Sequence, residues 1–138
     1  MLLTQLELLD ELLQRYRGEL GKDFTGYRNH VYRVINFCHL LTGTDALQLQ
    51  KLSIAGAFHD LGIWTAGTFD YLPPSLHLAE AYLEEIGRLE WAAEVLPMIE
   101  LHHKITPTAE QPGSLVEGFR RADWIDVSLG MLLSLIHI

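Results

Sequence analysis

The chain has 138 residues, 49% of them hydrophobic, which is enough for one domain with a buried core. Its 18 acidic and 10 basic residues give a formal net charge of −8, which argues against binding along a nucleic-acid backbone. No apolar run approaches the roughly 20 residues of a membrane span, and the first residues lack a basic leader and a cleavage site. We therefore expect one cytoplasmic domain over 1–138, its core at about 26–130, with neither a long nucleic acid nor a membrane as partner.

Apolar residues recur at helical spacing along the chain, and no segment alternates in the way of a strand. The fold class is therefore expected to be all-α, a compact bundle of about six helices. Thr44 is predicted to cap the third helix, and Pro97 to kink the fifth. The helices are predicted at 2–17, 26–41, 45–59, 73–87, 90–103 and 114–130, with a turn at 18–25 and loops at 62–72 and 106–113.

Two further features concern the single cysteine and the C-terminal residues. Cys38 lies in an apolar helical stretch and is interpreted as a small core residue, since one cysteine excludes an intramolecular disulfide. Residues 132–138 are apolar and carry no stop signal. They are interpreted either as the mark of a truncated chain or foreign sequence, or as a native terminal strand or docking segment, so His137 is given no role.

Side chains that can bind a metal fall on the apolar faces of several predicted helices. His30, His59, His102 and Asp123 each share a face with apolar residues three, four or seven positions away. His77 lies beside its apolar stripe rather than on it. A different interpretation holds for His39, which no motif accompanies and which is taken as structural or exposed.

A lone histidine on an apolar face is usually a core residue with an ordinary hydrogen-bond partner. Several such groups would each need a separate partner, and leaving one unsatisfied costs about 1–3 kcal/mol. A shared divalent metal would satisfy imidazole and carboxylate ligands together. The set therefore predicts a metal site between helices.

The order His30, His59-Asp60, Asp123 resembles the HD-domain superfamily of metal-dependent phosphohydrolases, which is named for its adjacent His-Asp pair. The resemblance runs from about residue 27 to residue 126. Phe-His-Asp-Leu-Gly at 58–62 and Arg-Ala-Asp at 121–123 are close in character to the motifs of that family. The resemblance implies that His30, His59, Asp60 and Asp123 form a metal site.

Many members hold a second metal with additional histidines, and His77, His102 and His103 fall where those are expected. Asp60 would then bridge the two ions. Two branches of the family are disfavoured. The cyclic-dinucleotide phosphodiesterases follow their His-His pair with an acidic residue and Gly-Tyr-Pro, whereas 103–107 here reads His-Lys-Ile-Thr-Pro. The Glu-Asp motif of the alarmone hydrolases is also missing after Asp60.

The implied chemistry is attack on a phosphoester by water activated on one or two divalent metals, with Fe, Mn, Ni, Co and Zn all compatible with these ligands. Asp60 and Lys104 are the predicted catalytic residues. Cations near the ligands are predicted to hold the phosphate oxygens, although each has an ordinary surface charge as its alternative; they are Arg28, Arg33, Lys104 and Arg121.

Two further groups have two interpretations each. Asp126, one turn beyond Asp123, is either a carboxylate that orients a ligand histidine or an ordinary helix-face carboxylate. The aromatic residues Trp64, Phe69 and Tyr71 either cover a bound base or pack in the core.

The leading functional prediction is a phosphohydrolase acting on a small phosphorylated metabolite or nucleotide. One alternative is a di-iron oxygenase on the same fold, and another is a non-catalytic metal-binding domain for sensing or interaction. The oligomeric state is left open, with a dimer among the options.

Overall fold

A computed structural model of the chain describes residues 2–67, 70–104 and 114–136, with side chains described as far as residue 129. The prediction of an all-α fold with about six helices is confirmed, since six helices in these ranges have nine residues or more. None of the helices in the described part combines the length and the apolar character needed to cross a membrane. The α-helices are α1 (Glu7–Arg15), α2 (Arg17–Leu20), α3 (Phe24–Thr42), α4 (Ala46–Phe58), α5 (Gly62–Thr65), α6 (Leu72–Glu85), α7 (Ala92–Leu101) and α8 (Leu115–Ile136).

The N-terminal segment differs from its prediction because side chains of α3 take up its backbone groups. The Leu3 amide donates to Asn36 Oδ1 at 2.7 Å, and Asn36 Nδ2 donates to the Leu3 carbonyl at 2.9 Å. The Leu6 amide donates to Tyr32 Oη at 2.9 Å. These contacts bind the backbone groups of Leu3 and the Leu6 amide outside the helix, and α1 begins at Glu7 rather than Leu2. The predicted turn at 18–25 was also wrong, because α2, a 3-10 turn and the start of α3 occupy it.

The start of α4 corrects the predicted cap. Asp45 is the N-cap residue: its Oδ1 accepts from the Gln48 amide at 2.8 Å, while Gln48 Oε1 accepts from the Asp45 amide at 3.0 Å. This reciprocal pair is a capping box, which satisfies two backbone donors at once. Thr44 contacts the His39 imidazole instead.

The later predictions need smaller corrections. The predicted loop at 62–72 contains the short helix α5, and α6 begins with prolines in its first turn, where a missing N–H costs nothing. The predicted fifth helix divides into a 3-10 turn at Leu89–Trp91 and α7, which contains Pro97. The last helix continues to Ile136 rather than ending near residue 130. Phe69, His137 and the predicted loop at 106–113 lie outside the described residues.

The packing of α3 against α8 places the site. These helices run antiparallel, since Gly118 faces Cys38 and Thr42 while Asp126 contacts His30. A Cβ at Gly118 would lie 2.5 Å from Thr42 Cγ2, so glycine permits the close approach. The end of α4 packs against both helices, and α7 packs against α4, α6 and α8. Cys38 is fully buried in this core, which confirms its prediction.

Candidate metal centre

Four predicted ligands from three helical segments converge at one point in the core. His30 lies in the middle of α3, His59 and Asp60 follow α4 directly, and Asp123 lies in α8. One ligand atom from each of the four residues lies within 4.8 Å of all the others. His30 Nε2 is 3.2 Å from His59 Nε2, and Asp123 Oδ1 is 3.2 and 3.3 Å from these two nitrogens. Asp60 Oδ2 is 3.1 Å from His59 Nε2.

The hydrogen bonds of Nδ1 determine how the histidine rings are oriented, so that Nε2 faces the other ligands. His59 Nδ1 donates to the Gly56 carbonyl at 2.6 Å, and His30 Nδ1 donates to Asp126 Oδ2 at 2.6 Å. His102 Nδ1 likewise donates to the Ile99 carbonyl. Because Nδ1 is committed to an acceptor in each ring, Nε2 is the nitrogen that faces the carboxylates, and it carries a lone pair whenever the ring is neutral.

This donor set fits a divalent cation. Asp123 Oδ1 is buried and has no hydrogen-bond partner among the described residues. When the rings are neutral, as metal binding requires, the imidazoles beside it present lone pairs, and a lone pair facing a carboxylate has no proton to share. A buried polar atom left in that state costs about 1–3 kcal/mol, and a cation bound to nitrogen and oxygen ligands removes the cost.

His102 lies on the other side of Asp60. Its Nε2 is 3.2 Å from Asp60 Oδ1, whereas Asp60 Oδ2 faces His59 and His30. The two carboxylate oxygens thus point to two different histidine groups, as a bridging ligand requires. His102 is buried and its ring meets that of His59 edge to face, with 4.9 Å between centroids.

The local backbone around His59-Asp60 is held by Tyr27, a residue that the sequence reasoning missed. The Tyr27 hydroxyl donates to the Ala57 carbonyl at 2.8 Å and accepts from the Asp60 amide at 3.2 Å. Its ring is buried and stacks on His59 with 5.9 Å between centroids. Tyr27 lies one turn before His30 on α3, and this spacing was the signal that could have identified it.

Without a metal, the close charges shift the titration of the cluster. Burial alone lowers the pKa of His59, but Asp60 and Asp123 outweigh it and raise that pKa well above its usual range. Burial opposes ionisation of Asp60, yet the neighbouring His59 and His102 hold its pKa well below the usual range. The pKa of Asp123 is lowered as well, because His30 and His59 outweigh its burial.

Asp126 contacts His30, as the first of its two predicted roles requires. Its Oδ2 accepts from His30 Nδ1, and its Oδ1 accepts from Arg33 Nε at 2.6 Å. The Asp126 side chain is only 7% exposed, while that of Arg33 is 54% exposed. The carboxylate therefore orients the ring of His30, a predicted ligand, and Arg33 pairs with the carboxylate from the surface.

The remaining predicted site residues are not brought into the cluster. His77 is exposed on α6 and has no hydrogen bond, ion pair or ring contact with the four ligands within the described ranges. His103 is exposed, and its ring lies 6.1 Å from that of His102, between centroids. Arg28 pairs with Asp10 at 3.1 Å. The exposed side chains of Lys104 and Arg121 face solvent, so their roles stay predictions.

A cavity of about 300 Å³ opens onto the cluster beside His30 and Asp60. Trp64 lies in its wall and donates from Nε1 to Asp23 Oδ2 at 3.0 Å. The Asp60 side chain is 20% exposed, so small molecules can reach the ligands from this side. On the His102 side, the Tyr71 hydroxyl lies 3.3 Å from His102 Nε2, and burial raises the pKa of Tyr71 to about 12.

Comparison with known proteins gives one match. A family model described as HD domain matches residues 27–128, a range that includes His30, His59, Asp60 and Asp123. Neither a curated protein nor a solved structure matches the chain at a significant level.

Proposed function

This chain belongs to the HD domain family, the superfamily of metal-dependent phosphohydrolases, and from that premise we propose that it hydrolyses a small phosphorylated metabolite or nucleotide. The observation that carries the proposal is the buried Asp123 Oδ1, which has no hydrogen-bond partner among the described residues and lies close to the Nε2 atoms of His30 and His59. Such a site is poorly satisfied by the protein alone and well satisfied by a divalent ion.

His30, His59, Asp60 and Asp123 would hold a first ion, and Asp60 with His102 would hold a second. A divalent ion in such a site polarises a phosphoryl oxygen and lowers the pKa of water, which gives a nucleophile at neutral pH. Asp60 holds the attacking water by accepting a hydrogen bond from it, and its two oxygens serve both sides of the centre. The cavity beside Trp64 admits the substrate.

The surrounding residues hold these groups in place. Asp126 keeps His30 with its Nε2 lone pair facing inward, and Tyr27 fixes the backbone that carries Asp60. Lys104 and Arg121 are exposed cations near the ligand segments that form no ion pair in the described part of the chain, and we assign them contact with the outer oxygens of the substrate. This assignment follows from charge and from position in the chain.

The test combines metal analysis with a panel of phosphoesters. The protein is stripped of metal and reloaded separately with Mn²⁺, Fe²⁺, Co²⁺, Ni²⁺ or Zn²⁺. Phosphate release is then measured from phosphomonoesters, nucleotides and phosphodiesters. We expect release with at least one metal, and its loss together with the bound metal in His59→Ala and Asp123→Asn. His39→Ala is the control, because His39 lies on α3 but contacts Thr44 instead of the cluster.

Three other results would contradict the proposal. Failure of every metal to bind would remove its basis. Oxygen consumption by the iron-loaded protein without phosphate release would favour an oxygenase. Bound metal without turnover on any phosphoester would indicate a sensing or interaction domain.

A further inference from the structure

Tyr71 lies against the part of the centre formed by Asp60 and His102. Its hydroxyl is 3.3 Å from His102 Nε2, which is itself 3.2 Å from Asp60 Oδ1. The tyrosine ring is half-buried, and its centroid is 6.1 Å from that of His102. The phenol is therefore within reach of an oxygen atom bound beside Asp60.

The backbone at Tyr71 is held in this position by residues that follow the His-Asp pair. The Tyr71 carbonyl accepts from the Ser75 amide at 3.0 Å, and Ser75 Oγ accepts from the Gly62 amide at 2.9 Å. A Cβ at Gly62 would lie 2.3 Å from the Tyr71 carbonyl oxygen. Glycine two positions after Asp60 thus allows the Tyr71 segment to pack directly against the chain that follows the His-Asp pair.

Three arginines that could serve a phosphoryl group are already paired with carboxylates. Arg28 pairs with Asp10, Arg33 with Asp126, and Arg120 with Glu117. Phosphoryl transfer depends on donors aimed at the oxygens where negative charge develops. A neutral hydroxyl held at the centre can supply such a donor without breaking an ion pair.

Resting on the proposed phosphohydrolase function, we propose that Tyr71 is a catalytic residue whose hydroxyl donates a hydrogen bond to a phosphoryl oxygen of the substrate. His102 Nδ1 is committed to the Ile99 carbonyl, so Nε2 is the nitrogen that faces both the Tyr71 hydroxyl and Asp60 Oδ1. Once Nε2 is used for a metal ion, it can no longer accept from Tyr71, and the acceptors left are Asp60, which already interacts with the hydroxyl, and an oxygen bound beside it. An anionic substrate oxygen in that place accepts a strong, charge-assisted bond.

The experiment compares Tyr71→Phe with Tyr16→Phe in metal-loaded protein. Tyr16 is also a half-buried tyrosine, and its hydroxyl has no hydrogen bond within the described part of the chain. Affinity for inorganic phosphate is measured by calorimetry, alongside kcat, KM and metal content. We expect Tyr71→Phe to keep its metal but to bind phosphate about tenfold more weakly or worse, with a fall in kcat/KM. Tyr16→Phe should match the wild type.

Two results would overturn the role of Tyr71. The first is unchanged phosphate affinity and unchanged kcat/KM in an active enzyme. The second is a visible charge-transfer band in the ferric protein that disappears in Tyr71→Phe, because it would make Tyr71 a metal ligand. Failure of the hydrolase proposal looks different: the wild type would bind phosphate but release none from any phosphoester. The calorimetric comparison would then still decide whether Tyr71 contacts the anion.

Discussion

Asp126 connects the exposed Arg33 to His30, one of the four predicted metal ligands. Its Oδ2 accepts a hydrogen bond from His30 Nδ1, and its Oδ1 accepts one from Arg33 Nε. A carboxylate in this position fixes the tautomer of a ligand histidine and makes the histidine a better ligand. The Arg33 contact limits this effect, since it draws negative charge toward the exposed side.

We expect Asp126→Asn to weaken metal binding by about 10- to 100-fold, because the amide is a poorer acceptor for the His30 proton. Competition with a fluorescent chelator measures this loss directly. Asp10→Asn is the matched control, since it disrupts a comparable carboxylate-arginine pair with Arg28 outside the cluster. Equal metal affinities in the two variants would show that the His30 contact does not support the ligand.

The second expectation for single residues is that metal binding releases protons from the ligands. In the metal-free protein the pKa of His59 is raised, so its ring stays protonated above the usual 6.5, whereas a metal requires the neutral ring. Metal affinity should therefore increase as the pH rises through the raised pKa. Uptake near pH 7 should release protons, measurable by calorimetry in two buffers with different ionisation enthalpies. Uptake with no proton release would contradict the raised pKa.

The same shifts set the pH range in which the metal-free protein is most stable. The raised pKa of His59 stabilises the folded state below pH 6.5, and this contribution is lost as the pH rises through the folded-state value. The lowered pKa values of Asp60 and Asp123 stabilise it above the ordinary carboxyl value of 3.8, and that contribution is lost on acidification. Stability without metal should therefore fall in both directions from mildly acidic pH.

At the level of single residues, the sequence identified the side chains that converge at the site, but it did not identify Tyr27, which holds the backbone beside them. Helical spacing places His30, His59, His102 and Asp123 on inward faces, because burial follows the period of the helix. It cannot say which faces meet, since that depends on helix packing. His77 accordingly lies on the solvent side of α6, and the hydroxyl of Tyr27 serves the end of a different helix.

Helix boundaries were set by contacts that spacing does not reveal. Residues 2–6 continue the apolar pattern of α1, yet Asn36 and Tyr32 of α3 bind their backbone groups. Thr44 and Asp45 are both good capping residues. Asp45 becomes the N-cap because Gln48 completes a capping box with it. Local sequence limits the choice in such cases, and tertiary contacts determine the result.

Gly118 is where α8 comes closest to α3, and its replacement tests that contact. We expect Gly118→Ala to lower the free energy of unfolding by about 1–3 kcal/mol, because the new Cβ would collide with Thr42 and Cys38. Gly26→Ala is the control: it is also helical, but a Cβ there would meet no atom within 4 Å. It should be neutral or stabilise by up to about 1 kcal/mol. Urea denaturation distinguishes the two, and equal stabilities would disprove the close packing.

For the molecule as a whole, the metal centre connects helices that are far apart in the chain. His30 belongs to α3, Asp123 to α8, and His59 and Asp60 follow α4. An ion that binds all of them stabilises the folded state, which has the site, over the unfolded chain, which lacks it. Metal at 100 times its Kd should add about 2.7 kcal/mol.

Thermal unfolding with and without the preferred metal measures this stabilisation. We expect an increase in Tm for the wild type and none for Asp123→Asn, which lacks a ligand from α8. An equal increase in both proteins would mean that the ion binds elsewhere.

Cys38 makes the separation of these helices observable in real time. Its thiol is fully buried beside Gly118, and burial raises the pKa of Cys38 to about 11. A thiol in this state is inert toward alkylating reagents until α3 and α8 part, so the rate of modification reports how often they do. With one cysteine in the chain, a mass increase has a single origin. Bound metal should slow the labelling, and the rate of labelling then measures how often the bundle opens.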